Sequence, residues 1–433
     1  MKTTFHEPEA ARLLSAQRLL DCLGGVPEPA RGACCAQLQN SDWQGVADSA
    51  LKHGLRPLLY ERLTSDTSKV NVPDTVLEPL REAFLVNGLR NTLLYRDLGR
   101  VLGAFRQKGV AVIVLKGAHL AQLVYRTIAS RQMADIDLLI KPNDLEHAAV
   151  TLLENDYACE IEPHDIERWR EQHPGSHHLP SFTKRLRPRL ELHWAISPPP
   201  NPAEVPDVWE DARLASIAGV EARVLSPEDL LLHLCLHSRL HRFSQGLRPV
   251  CDLSAAIRHY QWELDWNKVI CRAKAWRAEQ CVYLGLWLGK KLLEAPVPEC
   301  VLVALLPNGL DACWAALAME TVLSGAEAPS ETEYALQLVD PRLRWGGAAS
   351  RSGKARFLLR KILPPRDHMS RYMAEKHALP LSPLRNYTCY ITRALDLLSV
   401  GVRLARDQAA RGASSDSARR LRWNGWLDEA VSS

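Results

Sequence analysis

The segment Asp135-Ile136-Asp137-Leu138-Leu139-Ile140 sets two carboxylates two residues apart in a run that is otherwise apolar. Large aliphatic side chains in such a run fit a pleated, buried surface, so a strand is expected. On a strand, residues i and i+2 share a face. Asp135 and Asp137 therefore project side by side, while Ile136 and Leu138 turn towards a core. Adjacent carboxylates repel, and burial makes the repulsion more costly unless a cation or a proton lies between them. A hard divalent cation such as Mg²⁺ suits this set, because it takes oxygen ligands and is readily shared with substrate phosphates.

The neighbouring chain supplies the rest of a small sheet. Val110 to Leu115 is a continuous apolar run of the kind found in strands buried on both faces. Lys116-Gly117 breaks it, and Ala118 to about Tyr125 reads as helix. A further helix is expected over Asp144 to Asn155, and a polar loop over about Pro163 to Ser181. A third strand follows over Leu190 to Ile196, where Glu191 and His193 share a face. A third carboxylate on a strand beside the Asp-x-Asp pair would complete a two-ion arrangement, one ion serving the attacking hydroxyl and the other the leaving group.

Outside this unit the chain reads as mainly helical. Helices are expected over residues 8 to about 108, with Gly24-Gly25, Pro27 and Pro29 closing the first. The second should run from Trp43 to Leu63, and the third, either continuous or broken, from after Pro73 to Gln107. Pro198-Pro199-Pro200 marks a boundary. Beyond it, Ser226-Pro227-Glu228-Asp229 is a helix start, with a serine cap, proline at the first position and acids in the first turn. Two helices are expected up to Tyr260, parted near Gly246, then others over Trp266 to Leu293, Leu310 to Leu323 and Leu384 to Arg406. A polar stretch from Ser324 to Lys354 reads as a linker. The division expected is 1–99 helical, 100–205 the α+β core, 206–325 a helical domain, and 326–433 a C-terminal linker and helical region.

Composition excludes several classes. Of 433 residues, 46% are hydrophobic and 24% charged, which is the balance of a globular protein. The net charge of +4 is too mild to argue for nucleic acid by itself. Eleven cysteines, scattered and without a Cys-x-x-Cys pair, fit reduced thiols better than a disulfide framework or a four-cysteine zinc site. The first residues lack the basic flank and apolar run of a secretion signal. No apolar stretch approaches the roughly 20 residues that span a bilayer. A cytoplasmic chain with no membrane partner is expected, and its oligomeric state is not readable.

Leu115-Lys116-Gly117, Tyr125, Arg131 and Asp135-Ile136-Asp137-Leu138-Leu139-Ile140 resemble the uncharacterised nucleotidyltransferase family of the polymerase-beta-like superfamily. The resemblance continues through His177-His178-Leu179-Pro180 and Glu191-Leu192-His193-Trp194 to His237, His241 and Asp252, and is best over about residues 85 to 260. It implies an α+β fold in which a small mixed-sheet nucleotidyltransferase core is embedded in a predominantly helical chain. It also implies transfer of a nucleoside monophosphate from an NTP to an acceptor, with release of pyrophosphate. Asp135, Asp137 and Glu191 would hold Mg²⁺ or Mn²⁺, and Glu191 would help to deprotonate the nucleophile. Lys116, Gly117, Arg131 and His193 would serve the nucleotide. The acceptor, whether small molecule, peptide, protein or RNA end, is not readable.

The superfamily's turn serine is absent here. Lys116 is thus either a replacement contact for the triphosphate or a strand-end lysine facing solvent. Arg131 is either a phosphate ligand or a salt-bridge partner that fixes its loop. His233, His237 and His241 share one helix face, as zinc ligands, as a polar wall of the cleft, or as ordinary packing. Asp252 could bond one of these histidines or cap a helix, and His177-His178 sit in a loop. Two rival readings remain: a metal-dependent glycosyltransferase using a nucleotide sugar, and a non-catalytic binding protein with a degenerate core.

Overall fold

Val112–Val114 (β1) is buried at every position and pairs antiparallel with Asp135–Ile140 (β2), Val114 lying opposite Leu138. In the computed structural model the described residues are 9–24, 34–65, 71–173, 175–185, 187–197, 208–307 and 312–325, with Trp423, Trp426 and Leu427. β2 pairs in parallel with Arg189–His193 (β3), which sets Asp137 opposite Glu191. On the other side, β1 pairs in parallel with Val220–Val224 (β5), itself paired antiparallel with Arg213–Ile217 (β4). The five strands run in the order β3-β2-β1-β5-β4.

The β4–β5 hairpin adds two strands beyond the proline run, where only helices and a linker are expected. Its turn, Ala218-Gly219, has positive φ at both residues (54° and 77°), the conformation that joins two twisted strands through a two-residue loop. The alternation Val220, Ala222, Val224 against Glu221 and Arg223 carried the signal. β4, exposed along most of its length, carried almost none.

One face of the sheet meets a single apolar cluster. Ile136, Leu138 and Ile140 of β2, with Leu190 and Leu192 of β3, pack there with Leu94, Leu98, Leu102 and Phe105 of Asp74–Lys108 (α4). Ala148, Ala149 and Leu152 of Leu145–Glu154 (α6) join them. Burying a large aliphatic side chain contributes roughly 1.5–3 kcal/mol, so this alternation fixes which face is left for the acids. α4 is continuous through Pro79 and ends on Gly109 in the left-handed conformation (φ 73°). Before it lie Glu9–Leu23 (α1), Asn40–Lys52 (α2) and Arg56–Ser65 (α3). The single helix expected over Trp43–Leu63 is thus two, interrupted at Gly54 (φ 67°).

After β1 come the short helix Lys116–His119 (α5) and a π-type turn over Leu120–Val124. Ile166–Gln172 (α7) interrupts the loop before β3. Pro227–Leu240 (α8) starts at Ser226, whose hydroxyl accepts from the Asp229 amide, as its sequence implied. Arg248–His259 (α9) follows Gly246 (φ 79°). Trp266–Ala275 (α10) and Glu279–Leu293 (α11) were expected as one helix, but part at Arg277 (φ 48°). Glu299–Ala304 (α12) and Ala312–Ser324 (α13) complete the described helices. The described residues from 9 to 325 form one compact unit. The helix expected over Leu384–Arg406 and most of the linker expected over Ser324–Lys354 lie outside the described residues. No described helix is long and apolar enough to cross a membrane.

Candidate metal and nucleotide site

The β2–β3 register builds the site. Asp135, Asp137, Glu191 and His193 all stand on the sheet face opposite the apolar cluster, with Asp137 and Glu191 side by side. Asp137, Glu191 and His193 each offer a ligand atom, and these atoms lie within 4.8 Å of one another. Asp135 is on the same face, one strand step further out, and is not part of that close set. Glu191, half-buried, accepts a hydrogen bond from the Ser181 hydroxyl at 3.0 Å. Ser181 reaches it because residues 178–182 run antiparallel beside β3, through bridges at His178–His193 and Phe182–Leu190.

Asp137 is the buried centre of the set. Its Oδ1 accepts from the Lys116 ammonium at 3.0 Å and from His193 Nε2 at 2.8 Å. Burial by itself would raise this carboxyl. The Lys116 charge and the His193 bond outweigh burial and hold it well below the carboxylate range. Asp135 moves the other way, raised by burial and then by the charges of Asp137 and Glu191. The two adjacent acids are thereby separated in proton affinity, and a proton added to the pair goes to Asp135.

Lys116 does not face solvent. The β1–β2 ladder continues one step, from the Leu115 amide to the Asp137 carbonyl at 3.0 Å, which brings residue 116 beside Asp137. Lys116 itself has φ 39°, a left-handed backbone that non-glycine residues adopt at a cost of order 1–3 kcal/mol. The ion pair to Asp137 is the contact that this conformation gains.

Gly117 is needed for close approach. A Cβ there would stand 2.7 Å from Arg131 Nη1 and 3.1 Å from Met133 Cγ. Arg131 is therefore packed against the turn, but its guanidinium is committed elsewhere. It donates two bonds to the Asp252 carboxylate, at 3.0 and 2.8 Å, and Tyr125 donates a third at 2.8 Å. Asp252, on α9, neither bonds a histidine nor caps a helix; it anchors the loop that leads into β2. From the other side, Asn91 of α4 donates to the carbonyls of Ile128 and Arg131 at 2.5 and 2.8 Å, and Asn87 donates to Ala129 at 2.7 Å.

Histidines surround the acids. The rings of His177, His178 and His193 lie 5.0–5.2 Å apart, centroid to centroid. His233 Nδ1 lies 3.0 Å from the Ile196 carbonyl, so that nitrogen carries the proton and Nε2 keeps its lone pair. Burial, followed by neighbouring positive groups, pushes His177 down to about 2. Burial and the Lys116 charge push His233 down to about 3. The same two causes lower His237 and His241. All are held neutral, as ligands or hydrogen-bonding groups require. His237 and His241 stack edge to face at 4.7 Å. Among the described residues no metal-ligand cluster forms from the α8 histidines.

Two further residues belong to the site. Ser181 ends the loop before β3, and nothing in a single serine announces a bond to Glu191. Arg248 opens α9, and its charge is disfavoured by burial and by Arg131 but favoured by Asp252 and Asp135. That balance places a second cation within the field of the acids. An arginine at a helix start, after Gly246, was the available signal.

A family model described as an uncharacterised nucleotidyltransferase matches residues 39–294. The chain belongs to that family. The match spans the sheet, the carboxylate site and helices α2 to α11. Searches among curated proteins and among solved structures gave no match. For this nucleotidyltransferase family member the α+β fold with a mixed sheet is as expected, and the acid and histidine set is suited to a metal ion.

Proposed function

We propose that the chain is a metal-dependent nucleotidyltransferase that moves a nucleoside monophosphate from an NTP to an acceptor. The acceptor oxygen forms a bond to the α-phosphorus, the bond from that phosphorus to the bridging oxygen breaks, and pyrophosphate leaves with the electron pair. The observation that carries this reading is the convergence of Asp137, Glu191 and His193 ligand atoms within 4.8 Å on one sheet face, in a chain of this family.

The donor set fits a divalent cation. Two carboxylates and an imidazole converge, with His193 Nε2 2.8 Å from Asp137 Oδ1 and 3.7 Å from Glu191 Oε2. Asp137, Glu191 and His193 would hold the ion, and Asp135 would join once substrate phosphates bridge the gap. Magnesium or manganese there would neutralise the facing carboxylates and act as a Lewis acid towards phosphate oxygens.

The chain's own residues supply the rest. Glu191, at the more open side of the set, takes part in removing the acceptor's proton. Lys116 holds Asp137 ionised and is exchangeable for a cation. Arg248 is the cation available to the triphosphate, since Arg131 is bound to Asp252 and acts by fixing Gly117 and the β2 entry. Until an ion enters, His193 orients Asp137 through Nε2.

The scattered cysteines, without a Cys-x-x-Cys pair, fit a reducing, cytoplasmic setting. The test is to incubate the protein with each α-labelled NTP and Mg²⁺ or Mn²⁺, and to follow pyrophosphate release and label transfer, including to the protein itself. Metal-dependent NTP binding supports the reading. Its absence for all four nucleotides would leave a binding protein with an inactive core, and preference for a nucleotide sugar would favour glycosyl transfer.

A further inference from the structure

α4 carries two apolar faces. One holds Leu94, Leu98, Leu102 and Phe105 and is buried in the core. The other presents Leu85 (56% exposed), Val86 (60%), Leu89 (65%) and Leu93 (39%) to solvent. A helix that serves only its own core has a polar outer face. A row of exposed leucines at i, i+4 and i+8 marks a contact surface rather than scattered exposure.

The residues that flank the leucines say what the surface fits. Along the same face, in chain order, stand Glu78, Glu82, Leu85, Leu89, Leu93, Arg96 and Arg100. At 3.6 residues per turn, all point within about 40° of the direction of Leu89. The spacings are three and four, those of a coiled-coil seam, with two fours adjoining at Leu89. The order is also a mirror about Leu89: Leu85 and Leu93 are equidistant from it, as are Glu82 and Arg96, and Glu78 and Arg100. In each outer pair the first member is acidic and the second basic.

We propose that this face binds a second copy of the chain, with the two α4 helices antiparallel about a two-fold axis at Leu89. Leu89 then meets its own copy. Leu85 meets the other copy's Leu93, and Glu82 and Glu78 face the other copy's Arg96 and Arg100. A two-fold interface requires a patch complementary to itself, and this sequence satisfies that in both its apolar and its charged positions. A parallel pairing would instead set Glu82 against Glu82 and Arg96 against Arg96. The outer charges already have intrahelical partners, Arg81–Glu78 at 3.2 Å, exposed at both ends, and Arg100–Asp97 at 3.6 Å, whose aspartate is buried. The inner pair, Glu82 with Arg96, therefore carries the orientation. The surface lies on the outer side of α4 and is independent of the nucleotidyl-transfer reading.

Sedimentation velocity on the full chain over a concentration series tests this. The wild type should associate to a dimer. Leu89→Glu, an exposed change that leaves circular dichroism as it was, should raise the dissociation constant at least about tenfold, as loss of a central contact does. Glu82→Arg should also weaken association, and the double variant Glu82→Arg with Arg96→Glu should restore it, since it exchanges the two charges and preserves their pairing. A wild type that stays monomeric throughout would overturn the proposal and leave the stripe to another partner. So would a dimer unaffected by Leu89→Glu, or a double variant no better than Glu82→Arg alone.

Discussion

The Lys116 ammonium lies 3.0 Å from Asp137 Oδ1, with side-chain exposures of 14% and 5%. The most buried acid of the site is thus neutralised internally. A cation that enters must either displace this lysine or share the carboxylate with it. Lys116→Ala should consequently strengthen the binding of Mn²⁺ alone, measured by calorimetry without nucleotide, while weakening turnover. Unchanged metal affinity would mean that Lys116 and the ion do not compete.

Asp137→Asn should abolish metal-dependent turnover. On repulsion between Asp135 and Asp137 alone, this change would be expected to stabilise the fold. The structure reverses that expectation, because Asp137 is held below its ordinary value by Lys116 and His193 despite burial. A depressed carboxyl contributes stability that is present above 3.8, the ordinary value, and is lost as pH falls through the folded value. The variant should lose about 1–3 kcal/mol at neutral pH, in line with a charge-assisted bond. Urea unfolding of the two proteins at pH 7 measures this, and an asparagine variant more stable than wild type would contradict the assigned pairing.

The buried Arg131–Asp252 pair, with side-chain exposures of 12% and 4%, ties the loop before β2 to α9. Removing one partner of such a pair strands the other and typically costs about 3–5 kcal/mol. Asp252→Ala should therefore cost more stability than Arg248→Ala, while Arg248→Ala should cost more in KM for NTP. If Arg248→Ala leaves KM unchanged, the triphosphate lies elsewhere.

His177 and His233 are held near 2 and 3, below their ordinary 6.5. The unfolded chain therefore binds protons that the folded chain refuses below pH 6.5, so stability falls as pH falls. Each group contributes about 1.4 kcal/mol per pH unit between pH 6 and pH 4, once the unfolded form is charged. Replacing His233 by Asn should flatten the slope of unfolding free energy against pH in that window by about this amount. A parallel slope would show that His233 titrates normally.

How much of this was legible follows a physical divide. Alternation reports which face a residue takes, so Asp135, Asp137, Glu191 and His193 could be set on one face from the sequence. It does not report what a long side chain reaches. Lys116 bends back to Asp137, and Arg131 leans away to Asp252, because of contacts more than twenty and more than one hundred residues distant in the chain. Gly54 and Arg277 interrupt helices whose apolar periodicity runs across the break, and periodicity alone does not register a local change of φ. The β4–β5 hairpin was missed because an exposed strand lacks the burial that makes a strand conspicuous.

That hairpin also decides where the chain can be cut. β1 ends at Val114, while its parallel neighbour β5 begins at Val220. The intervening hundred residues must be in place before this pairing closes. A fragment spanning 100–205 would keep every proposed acid, yet leave the unpaired amides and carbonyls of β1 as an open template for another chain. Such a fragment should aggregate rather than fold, whereas one carried on to residue 225 would retain its own closing strands.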